Sequence, residues 1–70
     1  MQLIKVDSSM IYALGYDEEQ QVLEVVFKRK GVYRYRDVPK HVYEGLLKAS
    51  SKGGYMRDTI IDMYPTEHLR

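Results

Sequence analysis

Apolar side chains are grouped along this chain in a pattern that predicts three β-strands followed by two helices. Residues 10–16 are apolar at nearly every position, and residues 22–28 alternate between apolar and polar or smaller side chains. A third alternating run covers residues 32–36. Alternation with period two and enrichment in β-branched and aromatic residues are typical of strands. The polar residues 17–21 predict a turn between the first two strands.

The second and third strands are predicted to form a hairpin whose three-residue loop ends at Gly31. This loop suits a type I turn followed by a bulge, because glycine adopts a positive φ without strain. The resulting register places Phe27 opposite Tyr33. It also places Val25 opposite Tyr35, on the same face of the sheet.

That register divides the hairpin into an apolar face and a basic face. The apolar face carries Leu23, Val25, Phe27, Tyr33 and Tyr35. Arg34 and Arg36 belong to the opposite face, near Val26 and Glu24. The first strand is apolar on both sides, with Tyr12, Leu14 and Tyr16 on one and Ile11 and Ala13 on the other. One layer of helices covers only one face of a sheet, so the other face is available to another protein or to a second copy of this chain.

A first helix is predicted to begin at Pro39, because proline is tolerated where the first-turn N–H has no partner. The residues that follow form one apolar stripe at helical spacing: Val42, Tyr43, Leu46, Leu47 and Ala49. Residues 50–54 then end this helix, with a glycine cap as the ordinary interpretation. The same glycines beside Ser51 and Lys52 also resemble a phosphate-binding loop, although the full P-loop pattern is absent.

A second, shorter helix is predicted over residues 55–63, with Met56, Ile60 and Met63 aligned on one side. Pro65 ends it, and residues 66–70 are expected to be a frayed tail. The expected fold class is therefore α+β, a three-stranded antiparallel β-meander packed by two C-terminal helices. The 70 residues form a single domain, residues 1–70.

Charge is distributed unevenly along the chain. Between residues 28 and 40 there are six positive side chains and one negative, a local net charge of +5, whereas the whole chain carries only +1. The positive side chains are Lys28, Arg29, Lys30, Arg34, Arg36 and Lys40. Such segregation favours one face that attracts anions.

Several function classes have no support in the composition. Cysteine is absent, which agrees with a reducing, cytoplasmic location. No signal peptide or membrane-spanning segment is expected. His41 and His68 have no nucleophile at motif spacing, so we expect no enzyme and no catalytic residue. Residues 17–19 lack the spacing of a calcium loop, so neither a metal site nor a cofactor is expected.

The order of several short motifs resembles the KTSC domain family. The motifs are Val6-Asp7-Ser8-Ser9, Leu14-Gly15-Tyr16-Asp17, Tyr33-Arg34-Tyr35, Val38-Pro39, Ala49-Ser50-Ser51-Lys52-Gly53, Tyr55, Ile60 and Tyr64. The similarity covers a core of about residues 6–64. Domains of this family occur alone in bacterial proteins and at the C-terminus of some lysyl-tRNA synthetases, and a central Tyr-x-Tyr motif is their hallmark. The resemblance implies a small accessory domain for which RNA binding, and tRNA binding in particular, has been proposed.

The candidate nucleic-acid-binding residues combine cations with the two tyrosines: Lys28, Arg29, Lys30, Tyr33, Arg34, Tyr35, Arg36 and Lys52. Cations hold phosphates, and exposed aromatic rings stack on bases. For Tyr33 and Tyr35 the alternative is burial in the core, which the predicted register favours. For the domain as a whole the alternative is a protein-interaction or self-association module that binds no nucleic acid.

Overall fold

A computed structural model describes all 70 residues and contains one five-stranded antiparallel sheet with its helices on one face. The strands are β1 (Ile4–Lys5), β2 (Ile11–Asp17), β3 (Val22–Phe27), β4 (Gly31–Tyr35) and β5 (Thr66–His68). They lie in the sheet in chain order. The predicted α+β class and the central three-stranded meander are confirmed, but the expectation of only three strands is wrong.

The hairpin formed by β3 and β4 has the predicted glycine loop with a different register. Residues 28–30 form the loop, and Gly31 has a φ of +96°. Gly31 itself pairs with Phe27, so Val25 lies opposite Tyr33 and Leu23 opposite Tyr35. The pairing is therefore shifted by two residues from the prediction. A two-residue shift leaves every side chain on its predicted face, because the period of a strand is two.

The C-terminal residues are not a frayed tail, because they pair with the edge of β4. The N–H of Val32 donates to the carbonyl oxygen of Arg70 over 2.8 Å, and the N–H of Arg36 donates to that of Pro65 over 2.9 Å. All three side chains of β5 are exposed, so this strand has no apolar pattern by which to recognise it. It satisfies backbone groups of β4 that an open edge would leave unpaired.

The predicted faces of the first strand are wrong, because β2 contains a bulge. Ile11 lies opposite Phe27, whereas Ala13 lies opposite Val26, so one extra residue is inserted between these pairs. The insertion turns both Ile11 and Leu14 into the core and leaves Tyr12 46% exposed. A bulge changes which side chains share a face, and strict alternation cannot anticipate it.

The helices cover the apolar face of the sheet. The first helix, α1 (Lys40–Lys48), follows Pro39 as predicted and buries Val42 and Leu46. The core consists of Ile11, Leu14, Leu23, Val25, Phe27, Tyr35, Val38, Val42, Leu46, Met56 and Ile60. Burial of such side chains is the main stabilising contribution available to a domain of this size.

The second helical element begins earlier and ends earlier than predicted. It consists of α2 (Lys52–Tyr55) and a π-helical segment (Met56–Ile60) that continues from it. Ser51 caps its start by accepting a hydrogen bond from the N–H of Gly54, so the glycines of this segment lie inside the helix. The predicted glycine cap of the first helix is therefore wrong. Met63 lies beyond the helix and is 67% exposed.

The two helices are held together by Tyr55. Its hydroxyl donates a hydrogen bond to the carbonyl oxygen of Val42 over 3.0 Å. A β-carbon on Gly45 would clash with that hydroxyl, so the close approach depends on the small size of glycine at this point in α1. None of the helices combines the length and the apolar character that crossing a bilayer requires.

Candidate nucleic-acid interface

The two tyrosines of β4 lie on the core side of the sheet. Tyr35 is only 3% exposed, and its burial raises the pKa of its hydroxyl to about 12. Tyr33 is half-buried and stacks on the ring of His68, with centroids 4.2 Å apart and planes 3° from parallel. It also contacts Phe27 edge-to-face over 5.5 Å. Packing within the protein therefore occupies most of both rings.

Arg34 of β4 and Arg36, which follows the last residue of that strand, lie on the opposite side and are paired with carboxylates. Arg34 lies between Glu24 on β3 and Glu67 on β5, at 3.3 Å and 3.9 Å between nitrogen and oxygen atoms. Arg36 contacts Glu67 over 3.0 Å. Two cations and two carboxylates leave this part of the sheet without net charge. The acid partners come from the neighbouring strands at positions set by the observed register.

The hairpin loop carries the remaining predicted cations. Lys28, Arg29 and Lys30 are all exposed, and none of them has a carboxylate within ion-pairing distance. Lys40, by contrast, pairs with Glu18 over 2.7 Å. Of the six cations between residues 28 and 40, three are therefore paired with carboxylates and three are free.

Two further cations from the second helical element lie near this loop. Lys52 and Arg57 line one cavity, the hairpin loop lines another, and Met10 contributes to the walls of both. We call the surface formed by Lys28, Arg29, Lys30, Lys52 and Arg57 around Met10 the basic surface. Arg57 is absent from the sequence-based candidates, because it lies outside both residues 28–40 and the glycine-rich pattern at residues 51–54. Its only sequence signal is its place in the first turn of the predicted helix over residues 55–63.

The larger of these cavities, which we call the polar pocket, has a volume of about 370 Å³. It lies between residues 7–10 and residues 50–54, with Arg57 at its side. The hydroxyl oxygen of Ser8 accepts hydrogen bonds from the N–H groups of Met10 and Ile11, which fixes the first wall. The ammonium group of Lys52 donates to the carbonyl oxygen of Ala49 over 3.1 Å, which fixes part of the second.

A second cavity, which we call the aromatic pocket, lies at the end of the core face that the helices leave open. Its volume is about 220 Å³, and its apolar walls include Met10, Phe27, Tyr33 and Ile61. Lys30 and Asp62 add one positive and one negative group to the lining. Met10 lines this cavity, the polar pocket and the cavity of the hairpin loop. The two named cavities and the hairpin cations are therefore neighbours around Met10.

No three His, Asp or Glu side chains lie close enough together to hold a metal ion. His41 is exposed, and His68 is occupied by its stack on Tyr33. What the surface can do chemically is attract an anion and receive a flat, apolar group beside it.

Comparisons with known proteins identify relatives of the whole chain. A family model described as the KTSC domain matches residues 7–64. An uncharacterized protein from Stutzerimonas stutzeri is 39% identical over 70 residues, which cover 100% of this chain and 93% of that protein. The crystal structure of a KTSC domain protein from Yersinia pestis is 30% identical, with a TM-score of 0.96 and coverage of 99% and 97% of the two chains.

One relative is much longer than this chain. A lysine–tRNA ligase from Nostoc punctiforme is 34% identical over 67 residues, which cover 96% of this chain but only 12% of the ligase. A stretch similar to nearly all of this domain is therefore a small part of that enzyme.

Proposed function

The chain belongs to the KTSC domain family, and we propose that it is a binding module for single-stranded RNA. In this proposal the basic surface holds phosphates and the aromatic pocket receives a base. The module has no catalytic role of its own and contributes affinity for the RNA.

The proposal rests on one observation: the cations of the basic surface have no ion-pair partners. Five cations from two distant parts of the chain lie around Met10, and none of them has a carboxylate partner. Cations without partners can replace the counterions that surround a polynucleotide, and the release of those counterions favours binding. Glu18, Glu24 and Glu67 pair with Lys40, Arg34 and Arg36 instead, so these three carboxylates do not neutralise the basic surface.

The aromatic pocket supports a flexible, single-stranded ligand. Its mixture of apolar walls with one cation and one carboxylate suits the flat face and polar edge of an unstacked base. A duplex hides its bases, so it could use the cations but not this cavity. The ligand class is further supported by the name of the long relative, a lysine–tRNA ligase, which acts on an RNA.

A salt titration with matched variants tests the proposal. Fluorescence anisotropy with a 5′-hydroxyl single-stranded RNA, and in parallel with a tRNA, measures affinity at several salt concentrations. Each phosphate contact on a single strand contributes about −0.7 to the log–log slope, so three or four contacts predict a slope of about −2 to −3. No binding to either RNA at low salt would eliminate the proposal.

Two double variants locate the contacts, and each removes two positive charges. Lys28→Gln with Lys30→Gln removes free cations and is expected to reduce the slope by about 1.4. Arg34→Gln with Arg36→Gln removes paired cations and is expected to change the slope by less than about 0.5, because Glu24 and Glu67 already neutralise them. The reverse ranking would place the RNA along β4, as the sequence alone predicts.

Self-association is the second candidate function, supported by apolar side chains at the N-terminal edge of the sheet. Met1, Leu3, Ile4 and Tyr12 are each between 42% and 56% exposed. Met1 and Leu3 lie over Gly15, so the chain covers part of its own second face. Sedimentation at micromolar concentration distinguishes a self-associated species from the 8.3 kDa monomer. A monomer at millimolar concentration removes this candidate.

A further inference from the structure

We propose that the polar pocket is a binding site for a phosphate monoester, the group carried by a nucleotide or by a phosphorylated end of an RNA strand. The extension to an RNA end rests on the proposed function, whereas binding of a nucleotide does not.

The serine hydroxyls at the pocket walls can donate hydrogen bonds to a ligand. The oxygen of Ser8 accepts hydrogen bonds from two backbone N–H groups, over 3.2 Å and 3.1 Å, so only its proton remains for a further partner. The oxygen of Ser51 accepts one from the N–H of Gly54 over 3.2 Å, and its proton is also free. Both walls therefore present donors, which an anion requires.

The charged residues of the pocket also favour an anion. Lys52 uses one N–H on the carbonyl of Ala49, which leaves two for a ligand. Arg57 is exposed and makes no hydrogen bond or ion pair with the protein, so its guanidinium retains all its donors. Asp7 is the one carboxylate in the lining. Two positive groups against one negative leave a net charge of +1.

The glycines of α2 bring these donors together. A β-carbon on Gly54 would lie 3.0 Å from the hydroxyl oxygen of Ser51 and 3.7 Å from a terminal nitrogen of Arg57. A side chain here would crowd both groups, so glycine leaves the space between these two donors open. The corresponding position at Gly53 is 3.8 Å from the other terminal nitrogen of Arg57. The guanidinium thus lies across both glycines and forms one side of an open cradle.

The charge of the pocket favours a terminal phosphate over an internal one. Its donors come from two segments about forty residues apart in the chain, and its lining has a net charge of +1. A monoester offers three free oxygens and a charge of about −1.5 to −2 at neutral pH. An internal diester has only two free oxygens, and the RNA strand continues from both of its ester oxygens, so both continuations would have to leave the polar pocket.

Three ligands distinguish whether the pocket binds free phosphate, a nucleotide or the phosphorylated end of an RNA. Inorganic phosphate, AMP and a short RNA with a 5′-phosphate are titrated against ¹⁵N-labelled protein, with adenosine and the 5′-hydroxyl RNA as matched controls. We expect the phosphorylated ligands to shift the amide signals of Gly53 and Gly54. We expect the 5′-phosphate to tighten RNA binding about 10-fold, the gain typical of charge-assisted hydrogen bonds.

Arg57→Gln tests the assigned residue, and Arg29→Gln is its control. Both arginines are exposed, but only Arg57 lines the polar pocket. Arg57→Gln is expected to bring phosphorylated and unphosphorylated RNA within about twofold of each other, whereas Arg29→Gln weakens both equally and preserves the 10-fold ratio. Neither variant removes a contact that holds the fold.

The possible failures are distinguishable. If 5′-hydroxyl RNA binds and phosphorylation adds less than about twofold, with no shift from AMP, the pocket assignment is overturned while RNA binding stands. If AMP shifts the glycine amides in an Arg57-dependent manner and no RNA binds, the monoester site stands and its ligand is a small molecule. Equal shifts from AMP and adenosine would show that the phosphate is not the recognised group.

Discussion

Strand β4 and the basic surface have similar residue types but opposite relations to the rest of the molecule. In β4, Tyr35 belongs to the core, Tyr33 stacks on His68, and both arginines are paired with glutamates. In the basic surface the cations have no acid partner, and the serines beside them have engaged their oxygens but not their protons. Residues of one region hold the fold together, whereas residues of the other remain available to a ligand.

The difference shows that a conspicuous motif need not be the functional one. Arg34 lies between Glu24 and Glu67 in the register of the sheet, and Arg36, one residue beyond β4, also contacts Glu67. That pairing follows from strand register and gives each arginine a partner inside the protein. The cations of the hairpin loop have no carboxylate within ion-pairing distance and remain exposed. Substitutions in β4 should therefore act chiefly on stability, and substitutions in the basic surface chiefly on binding.

The largest expected effect is the loss of stability on truncation of Tyr35. Tyr35→Ala removes a core aromatic ring and should lower the free energy of unfolding by about 3–5 kcal/mol. Tyr33→Ala should cost about 2 kcal/mol, because this ring is only half-buried. Urea denaturation followed by circular dichroism measures both. Tyr35→Phe is the control and should change stability by less than about 0.5 kcal/mol, since the hydroxyl has no hydrogen-bond partner in the protein. Equal losses at the two tyrosines would contradict the assignment of Tyr35 alone to the core.

The central hairpin could be read from the sequence because its information is local. Alternation in β3 and β4 and the glycine between them predict two paired strands, and all five apolar side chains lie on the predicted face. The exact register was not predictable, because it depends on whether Gly31 belongs to the loop or pairs with Phe27. Both arrangements bury the same side chains, so the hydrophobic pattern does not distinguish them.

The edge strands and the basic surface depend on contacts between distant residues. Residues 66–68 are polar and exposed, and they form a strand only because the edge of β4 lies beside them. The cradle over α2 requires Arg57 to fold back across Gly53 and Gly54, next to a loop formed by residues 7–10. Neither arrangement has a periodic signal. The segment of residues 28–40 identifies three of the five cations of the basic surface, and the pattern at residues 51–54, which resembles a phosphate-binding loop, adds Lys52.

A smaller effect is expected when the pH is raised. Burial raises the pKa of Tyr35 from 10 to about 12, so the folded protein keeps this proton more strongly than the unfolded chain does. The contribution to stability is complete below pH 10 and decreases as the pH rises from 10 toward 12. Burial also raises the pKa of Tyr43 and, with nearby Glu18, that of Tyr16. Urea midpoints between pH 8 and pH 11 should fall, and Tyr35→Phe should reduce that fall. A variant with the same pH dependence as the original chain would contradict the assignment to Tyr35.

The smallest expected effect comes from a substitution that frees an arginine beside β4, so that it resembles the unpaired cations of the basic surface. Glu67 is the partner of Arg36 over 3.0 Å and a second partner of Arg34, and its side chain is about half exposed. Glu67→Gln should lower stability by less than about 1 kcal/mol, because exposed ion pairs contribute little. The released guanidinium becomes free for a phosphate, so the log–log slope for single-stranded RNA should steepen by about 0.7.

Glu19→Gln is the matched control, since it removes the same charge from an exposed turn without breaking an ion pair. If both variants steepen the slope equally, the gain comes from net charge alone. A gain confined to Glu67→Gln would show that the glutamate pairing, rather than the position of β4 in the fold, keeps the arginines from the RNA.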